Sequence, residues 1–589
     1  MTATADAVTV ELVKGALHAA LAETEALLAR TAMSDVIREK KDFFTGFFDA
    51  AGRIVSATPI PLLAHVIDPI LRQYPAETMR PGDLYWYNDC YASDGGVSHL
   101  NDQVFAAPVF AEGRLAGFAQ SWAHFTDIGG MKPGSMSPDT TEIFQEGLMV
   151  PPVRLYKEGV LNEEIFRIFA RNSRYPLMLK GDTRALVAAV RLGERRFLEL
   201  VGRFGLAVVE DAFERLNRQT EAVVREKLRA IFAPGRYGFA DVIESDGHGN
   251  GPFTLRIAMD ASGNRIVFDG SESDDQAPGP INWLMNPAVP RMIYGIYFAA
   301  GDPSLMLNEG VLRAIDEVRL RPGSLLRPSF PAPLGQRGLA MVRVMNMCSG
   351  LMNVAAPGSA NAGGSSYAIW YLRNADPQGT PFFVNDGVAV GFGARPYADG
   401  HDAVYFVAQE NNPAEFMDQL HPARLRSYAI HQDSGGAGRW RGGCGVVREI
   451  EWLGEEAILA TRLDGTVAAP WGAAGGKNGG KGRIVLNPGR AEERPLPAIG
   501  DGTRVRRGDI LRIETGGGGG HGHPFDREPA RVQRDVLGGF VSVDAARDEY
   551  GVVLADEGRS IDADATTRLR RDRFPTKLFH RETYLDAMS

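Results

Sequence analysis

Apolar positions in the first part of the chain recur at helical spacing. Residues 7–40 are predicted to form one amphipathic helix, although charged residues such as Glu11 and Lys14 interrupt the pattern. The next segment, FFTGFFDAAGRIV, alternates instead around Asp49–Gly52, a tetrapeptide with the composition of a tight turn. The pattern therefore predicts a helix followed by a β-hairpin.

Short strand-like runs alternate with turn-rich loops between Pro81 and Asp127. The runs are DLYWYN, QVFAAPVF and RLAGFAQSWAHF, and a typical loop between them is the polar stretch Ala92–Gly96. Such an arrangement predicts a sheet whose polar residues lie at strand ends. We expect chemistry in these loops.

Helical periodicity returns in long stretches between residues 161 and 232. Beyond it, short strands punctuated by glycine and proline continue to about residue 540. This order of elements predicts an α+β protein with a central helical segment. The expected regions are an N-terminal part over 1–160, the helical segment over 161–235 and a β-rich, glycine-punctuated part over 236–589.

Composition narrows the range of partners. The formal net charge is −9 and the pI is near 5.8, which argues against nucleic acid because phosphate neutralisation needs a clustered basic face. The three cysteines do not suggest a disulfide framework. The chain has neither a signal-peptide core nor an apolar run of transmembrane length, so we expect a cytoplasmic protein without membrane association.

The most informative chemistry lies in the segments SHLND and WAHFTDIGG. They bring His99, Asp102, His124 and Asp127 into a short stretch of sequence. Imidazole and carboxylate donors suit Zn²⁺ and also Mn²⁺, with water at an open position. The residues alone leave a second interpretation open, in which the histidines are hydrogen bonded at loop ends and the aspartates cap turns.

Two glycine-rich segments are candidates for anion binding. Residues 475–482, GGKNGGKG, nearly match a phosphate-binding loop, but Gly482 stands where a hydroxyl residue is needed and a strand-like run follows directly. The run Gly516–Gly520 can bind an anion through its amides or can let two backbone segments approach closely, and we expect the close approach. Neither segment predicts an ATP site in this chain.

The run from Pro81 to Leu155 resembles the hydantoinase B/oxoprolinase family. The resemblance rests on PGDLYWYNDCYASDGGVSHLNDQVFAAPVF and AHFTDIGGMKPGSMSPDTTEIFQEGLMVPPVRLY. It extends over essentially the whole chain through further motifs: GPIN at 279–282, LNEG at 307–310, DSGGAGRWRGGCGVVRE at 433–449, PWG at 470–472 and GGGGGHGHPFDREP at 516–529. The resemblance implies a large, multi-layer hydantoinase B-like fold with mixed sheets.

The resemblance also assigns roles to residues. It implies that His99, Asp102 and His124 bind a divalent metal and that Asp42, in REKKDFF, is a fourth ligand. Asp127 is then expected outside the ligand set, orienting a ligand or accepting a proton during catalysis. For substrate binding the candidates are Asn88, Asp89 and Asn101, whose alternative role is to form turns.

The function implied by the resemblance is that of one enzyme subunit. Family reactions consume ATP, so the resemblance implies a hetero-oligomer with a hydantoinase A-type subunit that binds the nucleotide. In the favoured hypothesis the partner phosphorylates a cyclic amide, such as a hydantoin, oxoproline or lactam, and metal-activated water completes its hydrolysis here. The alternatives are a subunit of an acetone- or acetophenone-type carboxylase, acting on a ketone, and a non-catalytic scaffold for the ATP-binding subunit.

Overall fold

The computed structural model describes residues 4–60, 64–366, 368–375, 381–405 and 409–571. Its helices are α1 Ala7–Thr31, α2 Asp35–Arg38, α3 Asp68–Gln73, α4 Glu163–Asn172, α5 Pro176–Phe204, α6 Leu206–Ile231, α7 Ala288–Ala299, α8 Glu309–Arg313, α9 Gly338–Ala355, α10 Ala414–Leu420, α11 Pro529–Leu537, α12 Val543–Asp548 and α13 Ala563–Arg571. Its strands are β1 Phe43–Asp49, β2 Ile54–Ala57, β3 Leu84–Tyr87, β4 Asp102–Ala111, β5 Arg114–His124, β6 Val153–Lys157, β7 Val160–Leu161, β8 Gly235–Ile243, β9 Phe253–Ser262, β10 Arg265–Asp269, β11 Glu317–Arg319, β12 Ala368–Ala375, β13 Pro381–Val388, β14 Ala423–Ile430, β15 Val446–Trp452, β16 Glu456–Arg462, β17 Arg483–Leu486, β18 Arg494–Pro495, β19 Ile499–Arg506, β20 Ile510–Glu514, β21 Leu554–Ala555 and β22 Ser560–Ile561. These elements confirm the predicted α+β class.

The described chain divides into two compact units. The first contains the described residues of Met1–Gly235, Met259–Ser271 and Pro280–Gly338, and the second those of Arg236–Ala258, Glu272–Gly279 and Leu339–Ser589. The three regions expected from the sequence stay a prediction.

The first helix ends earlier than its apolar pattern predicts. Asp6 caps α1 by accepting a hydrogen bond from the amide of Thr9 at 2.7 Å, but the helix stops at Thr31. The carboxylate of Asp182 accepts hydrogen bonds from the amides of Met33 and Ser34 at 2.7 and 3.0 Å. In a continuous helix these two amides would instead donate to backbone carbonyls of the preceding turn. The predicted helix over 7–40 is therefore wrong in its second part, where a separate short helix, α2, begins.

A seven-stranded sheet organises the first unit. Its strand order is β2-β1-β5-β4-β3-β6-β7, and each neighbouring pair is antiparallel. The predicted hairpin is present as β1 and β2, joined through Gly52, whose φ of 78° suits a residue without a side chain. The central strands β4 and β5 are also the longest of this sheet, and their adjoining ends carry the candidate site.

The predicted central helical segment is present as α4, α5 and α6. Gly205 separates α5 from α6 with a φ of 81°. The helices bury apolar side chains against the sheet: Phe197 of α5 and Phe213 of α6 share one core with Phe47 of β1 and Ala119 of β5. This shared core fixes the sheet that carries the site.

The glycine run Gly516–Gly520 of the second unit packs directly against neighbouring backbone. The amide of Gly518 donates to the carbonyl of Gly443, and that of Gly519 to the carbonyl of Gly363, both at 2.8 Å. A Cβ on Gly518 or Gly519 would lie 2.2 or 2.0 Å from the nearest backbone atom. The expected close approach is confirmed.

In the other glycine-rich segment, residues 475–482, strand β17 follows residue 482 directly. A phosphate-binding loop would be followed by a helix at this position.

Candidate metal centre

Three buried side chains converge where β4 begins and β5 ends. The Nε2 atom of His99 lies 3.0 Å from Oδ1 of Asp102 and 3.2 Å from Nδ1 of His124, and the latter two atoms are 3.6 Å apart. The three residues expose 2%, 4% and 4% of their surfaces. Two imidazoles and one carboxylate therefore direct their polar atoms at one another in a shielded place.

Strand register explains the convergence. Asp102 is the first residue of β4 and His124 the last of β5, and the antiparallel ladder pairs them directly. The amide of Asp102 donates to the carbonyl of His99 at 3.2 Å, which closes the turn before β4 and brings the first histidine over the same spot. A local turn and a long-range pairing thus build the site together.

The spacing and donor types fit a divalent cation. With Zn–N distances of 2.0–2.1 Å, two ligand atoms of a tetrahedral zinc site stand about 3.4 Å apart. The separations of 3.0, 3.2 and 3.6 Å bracket that value. Each of these ring nitrogens offers a lone pair to a cation in the tautomer that carries its proton on the other ring nitrogen, and the carboxylate oxygen offers one as well.

The protonation states also suit metal binding. Burial, together with the charge of Arg337, lowers the pKa of His99 to about 3, so this ring is neutral at physiological pH. Burial alone raises the pKa of Asp102, but His99, His124 and Arg337 outweigh burial and hold that pKa well below its usual range. A neutral imidazole and an ionised carboxylate are the forms that coordinate a metal.

The predicted fourth ligand lies next to this cluster. Oδ2 of Asp42 is 3.8 Å from Nδ1 of His124, and the Asp42 side chain is 17% exposed. Its carbonyl also accepts a hydrogen bond from the amide of His124 at 3.1 Å, because the chain enters β1 beside the end of β5. The structure therefore brings Asp42 to the cluster, and its role as a ligand stays a prediction.

The second oxygen of Asp102 faces a different pair of residues. Ser98 Oγ donates to Oδ2 of Asp102 at 3.4 Å, and the Arg337 guanidinium donates through Nε to Ser98 Oγ at 3.0 Å. An Arg337 terminal nitrogen is 3.9 Å from the same Oδ2. This arrangement leaves Oδ1 of Asp102 to face the two imidazoles.

The family model for hydantoinase B/oxoprolinase matches residues 6–524 of the chain. The chain belongs to this family. The chain is similar to caprolactamase subunit beta of Pseudomonas jessenii. The two are 29% identical over 583 residues, which cover 94% of this chain and 97% of the relative. The resemblance inferred from the motifs is thereby confirmed.

Two solved structures are similar to this hydantoinase B family member. ATP-dependent caprolactamase from Pseudomonas jessenii matches with a TM-score of 0.86 and 28% identity, covering 97% of this chain and 100% of that chain. Nucleotide-free acetone carboxylase matches with a TM-score of 0.83 and 19% identity, covering 96% and 82%, a likeness of fold alone. Among the described helices, none has both the length and the apolar character needed to span a bilayer.

Asp127 forms hydrogen bonds with two neighbouring loop segments. Its carboxylate accepts hydrogen bonds from the side chain of Arg174 at 2.7 Å and from the amides of Arg174 and Gly134 at 2.9 and 3.1 Å. These contacts hold together the loop after β5 and the turn before α5. The expected orienting or proton-accepting role of Asp127 stays a prediction.

The three proposed substrate-binding residues form hydrogen bonds with the backbone. Asn88 donates to the carbonyls of Leu100 and Leu148, Asn101 donates to that of Phe125, and Asp89 accepts from two amides in the following turn. These are the contacts expected of turn-forming residues. Their role in substrate binding stays a prediction.

Sequence reasoning missed one buried acid of this hydantoinase B family member, Glu146. Its Oε1 accepts hydrogen bonds from the amides of Leu334 and Gly335 at 2.9 and 2.7 Å and from Thr140 Oγ1 at 3.0 Å. Its Oε2 is buried and has no hydrogen-bond partner among the described residues. Burial raises the pKa of Glu146 to about 7, against the opposing effect of these hydrogen bonds and of Arg337. No sequence spacing signals a contact between such distant segments.

We expect Glu146→Gln to become more stable relative to the natural chain as pH rises from 5 to 8. The pKa of this carboxyl is near 4.5 in the unfolded chain and about 7 in the folded chain. Between these two pH values the unfolded chain releases the carboxyl proton while the folded chain keeps it, so the stability of the natural chain falls with rising pH. Glutamine does not titrate and keeps the acceptor oxygen. Urea unfolding at both pH values should show a relative gain of about 2–3 kcal/mol.

The exposed neighbour Glu142 offers a matched control. Glu142→Gln should leave the pH dependence of unfolding unchanged. Parallel unfolding curves for Glu146→Gln and the natural chain across this pH range would contradict the assignment of a raised pKa to Glu146.

Proposed function

We propose that this chain is the metal-containing subunit of a two-component, ATP-dependent cyclic amide hydrolase that opens a hydantoin, oxoproline or lactam ring. The observation that carries the proposal is the buried convergence of His99, Asp102 and His124 in a hydantoinase B/oxoprolinase family member. The similarity to caprolactamase subunit beta over nearly the whole chain supports the same chemistry.

A divalent ion such as Zn²⁺ or Mn²⁺, when bound here, supplies Lewis acidity and lowers the pKa of water. The chain contributes ring nitrogens from His99 and His124 and the carboxylate of Asp102, with Asp42 as the proposed fourth ligand. Ser98 and Arg337 hold the outer oxygen of Asp102, which keeps its inner oxygen directed at the imidazoles.

ATP enters the proposal through a hydantoinase A-type partner chain. The partner transfers the γ-phosphoryl group of ATP to the amide oxygen, which makes the amide carbon more electrophilic. Water then adds to that carbon, the ring C–N bond breaks, and a proton goes to the nitrogen. A second water displaces the phosphoryl group as phosphate. The products are ADP, phosphate and the ring-opened acid, which is an amino acid from oxoproline or a lactam and an N-carbamoyl amino acid from a hydantoin.

The decisive experiment is an assay of the chain assembled with its A-type partner. Hydantoin, 5-oxoproline and caprolactam are offered with ATP, while ring-opened product, released phosphate and metal content are measured. We expect ring opening of one of these amides to require ATP and both chains, to stop after metal removal with EDTA and to return with Zn²⁺ or Mn²⁺.

Other results would identify the rival functions. Bicarbonate-dependent carboxylation of acetone or acetophenone, without ring opening of any amide, would contradict hydrolysis and select a ketone carboxylase. Full ring opening by a complex with less than about a tenth of an equivalent of metal would contradict the metal-dependent mechanism. A His124→Ala variant that still assembled and kept full activity would support a scaffolding role.

A further inference from the structure

Arg337 places a nearly buried, incompletely paired cation beside the cluster of His99, Asp102 and His124. The residue exposes 9% of its surface. Its Nε donates to Ser98 Oγ, while its terminal nitrogens form no hydrogen bond with any described residue, and its ion pair with Asp102 is long, at 3.9 Å. The terminal nitrogens are not among the fully buried atoms that lack a partner, so their four N–H donors reach solvent and can exchange water for the oxygens of a ligand.

The loop that carries Arg337 is fixed from several sides. Glu146 accepts the amides of Leu334 and Gly335, and the hydroxyl of Tyr91 donates to the carbonyl of Ala332 at 2.8 Å. The amide of Arg337 itself donates to the carbonyl of Leu334 at 2.9 Å. A guanidinium on so constrained a loop keeps its direction before any ligand arrives, which reduces the entropy lost on binding.

We propose that the terminal amino groups of Arg337 form an oxyanion subsite next to the metal cluster and bind the phosphoryl group of the activated substrate. This inference rests on the proposed function, in which the partner phosphorylates the amide oxygen. A guanidinium offers two parallel N–H donors that match two oxygens of a phosphoryl group or a carboxylate. The phosphoryl group is the favoured ligand because it is bonded to the oxygen of the carbon that must react at the cluster.

Neutralising Asp102 does not by itself explain Arg337. A guanidinium whose only task is to pair a buried carboxylate forms direct, often bidentate hydrogen bonds near 2.8 Å. Here the hydroxyl of Ser98 lies between the two groups, accepting from Nε of Arg337 and donating to Oδ2 of Asp102. The terminal nitrogens therefore remain available to a ligand.

The test is calorimetric titration of the full chain with inorganic phosphate and, separately, with acetate. Each titration is done after EDTA treatment and after reloading with Mn²⁺, with metal content measured in parallel. We expect Arg337→Gln to weaken phosphate binding about tenfold or more in both states, and Arg337→Lys to weaken it less, because lysine keeps the charge but not the fork. Lysine also serves as the test variant if glutamine prevents folding.

Arg225→Gln is the matched control. Arg225, on α6, is already bonded to Asp316 at 3.0 Å, and its loss should leave phosphate binding unchanged. Equal phosphate affinities for the natural chain and both Arg337 variants would overturn the proposal, as would an effect on acetate alone. Loss of Mn²⁺ from the variants with unchanged phosphate affinity after EDTA would show that Arg337 only positions Asp102, which also overturns it.

The same data separate this proposal from the proposed function. If the natural chain takes up no Mn²⁺ or Zn²⁺, the metal-dependent function fails, but the titrations after EDTA still report on Arg337. If metal binds and phosphate affinity is independent of Arg337, the oxyanion subsite fails alone.

Discussion

Replacing His99 by alanine is expected to prevent metal binding at the proposed site and to abolish the proposed ATP-dependent ring opening. Nε2 of His99 lies within 3.2 Å of both other donor atoms, so its loss removes the ligand that links Asp102 to His124. Removing a group that merely orients a ligand costs 10–100-fold in metal affinity, and removing the ligand itself should cost about a thousandfold or more. Metal analysis of purified protein and the two-chain assay measure both effects.

His18→Ala is the control for this experiment. His18 lies exposed on α1, so its replacement should retain metal and activity. A folded His99→Ala chain with a full equivalent of metal would contradict the proposed ligand set. If the His99→Ala chain loses its metal but the complex keeps full activity, the metal ion is not required for catalysis.

Replacing Gly518 by alanine is expected to prevent the second unit from folding stably. The new Cβ would lie 2.2 Å from the carbonyl carbon and oxygen of Phe392 and 2.4 Å from the amide nitrogen of Gly393. All three atoms belong to the backbone peptide between Phe392 and Gly393, so the clash cannot be relieved by moving a flexible side chain. We expect a loss of about 3 kcal/mol or more, measured by urea unfolding, or failure to accumulate in soluble form.

The same substitution at Gly15 provides the control. Gly15 lies within α1 and a Cβ there would meet no atom within 4 Å. Gly15→Ala should therefore stabilise the protein slightly, by up to about 1 kcal/mol, because alanine favours helix. A Gly518→Ala chain as stable as the natural one would show that the backbone at the glycine run separates more easily than its contacts indicate.

Local patterns predicted the elements that depend on neighbours in the chain. The hairpin of β1 and β2 and the long helices α5 and α6 follow their hydrophobic periods, which are set by backbone geometry over a few residues. The predicted helix over 7–40 was wrong for a nonlocal reason. Asp182, far along the chain, binds the amides of Met33 and Ser34 and ends α1, and no local pattern contains that contact.

The candidate site divides in the same way. The sequence by itself determined the donor chemistry, because imidazole and carboxylate groups in SHLND and WAHFTD are metal-ligand types, and the family resemblance selected His99, Asp102 and His124. Only the tertiary structure decided which atoms meet. The register of β4 and β5 sets Asp102 opposite His124.

Glu146 and Arg337 show what sequence reasoning could not reach. They are linked because Glu146 accepts the amides of Leu334 and Gly335, in the loop that brings Arg337 to Ser98 and Asp102. Burial and partners from distant segments determine the pKa of a carboxyl group. They also determine how many N–H donors of a guanidinium are hydrogen bonded. Residue types and spacing determine what a site can bind, whereas strand register and loop packing decide which groups share it.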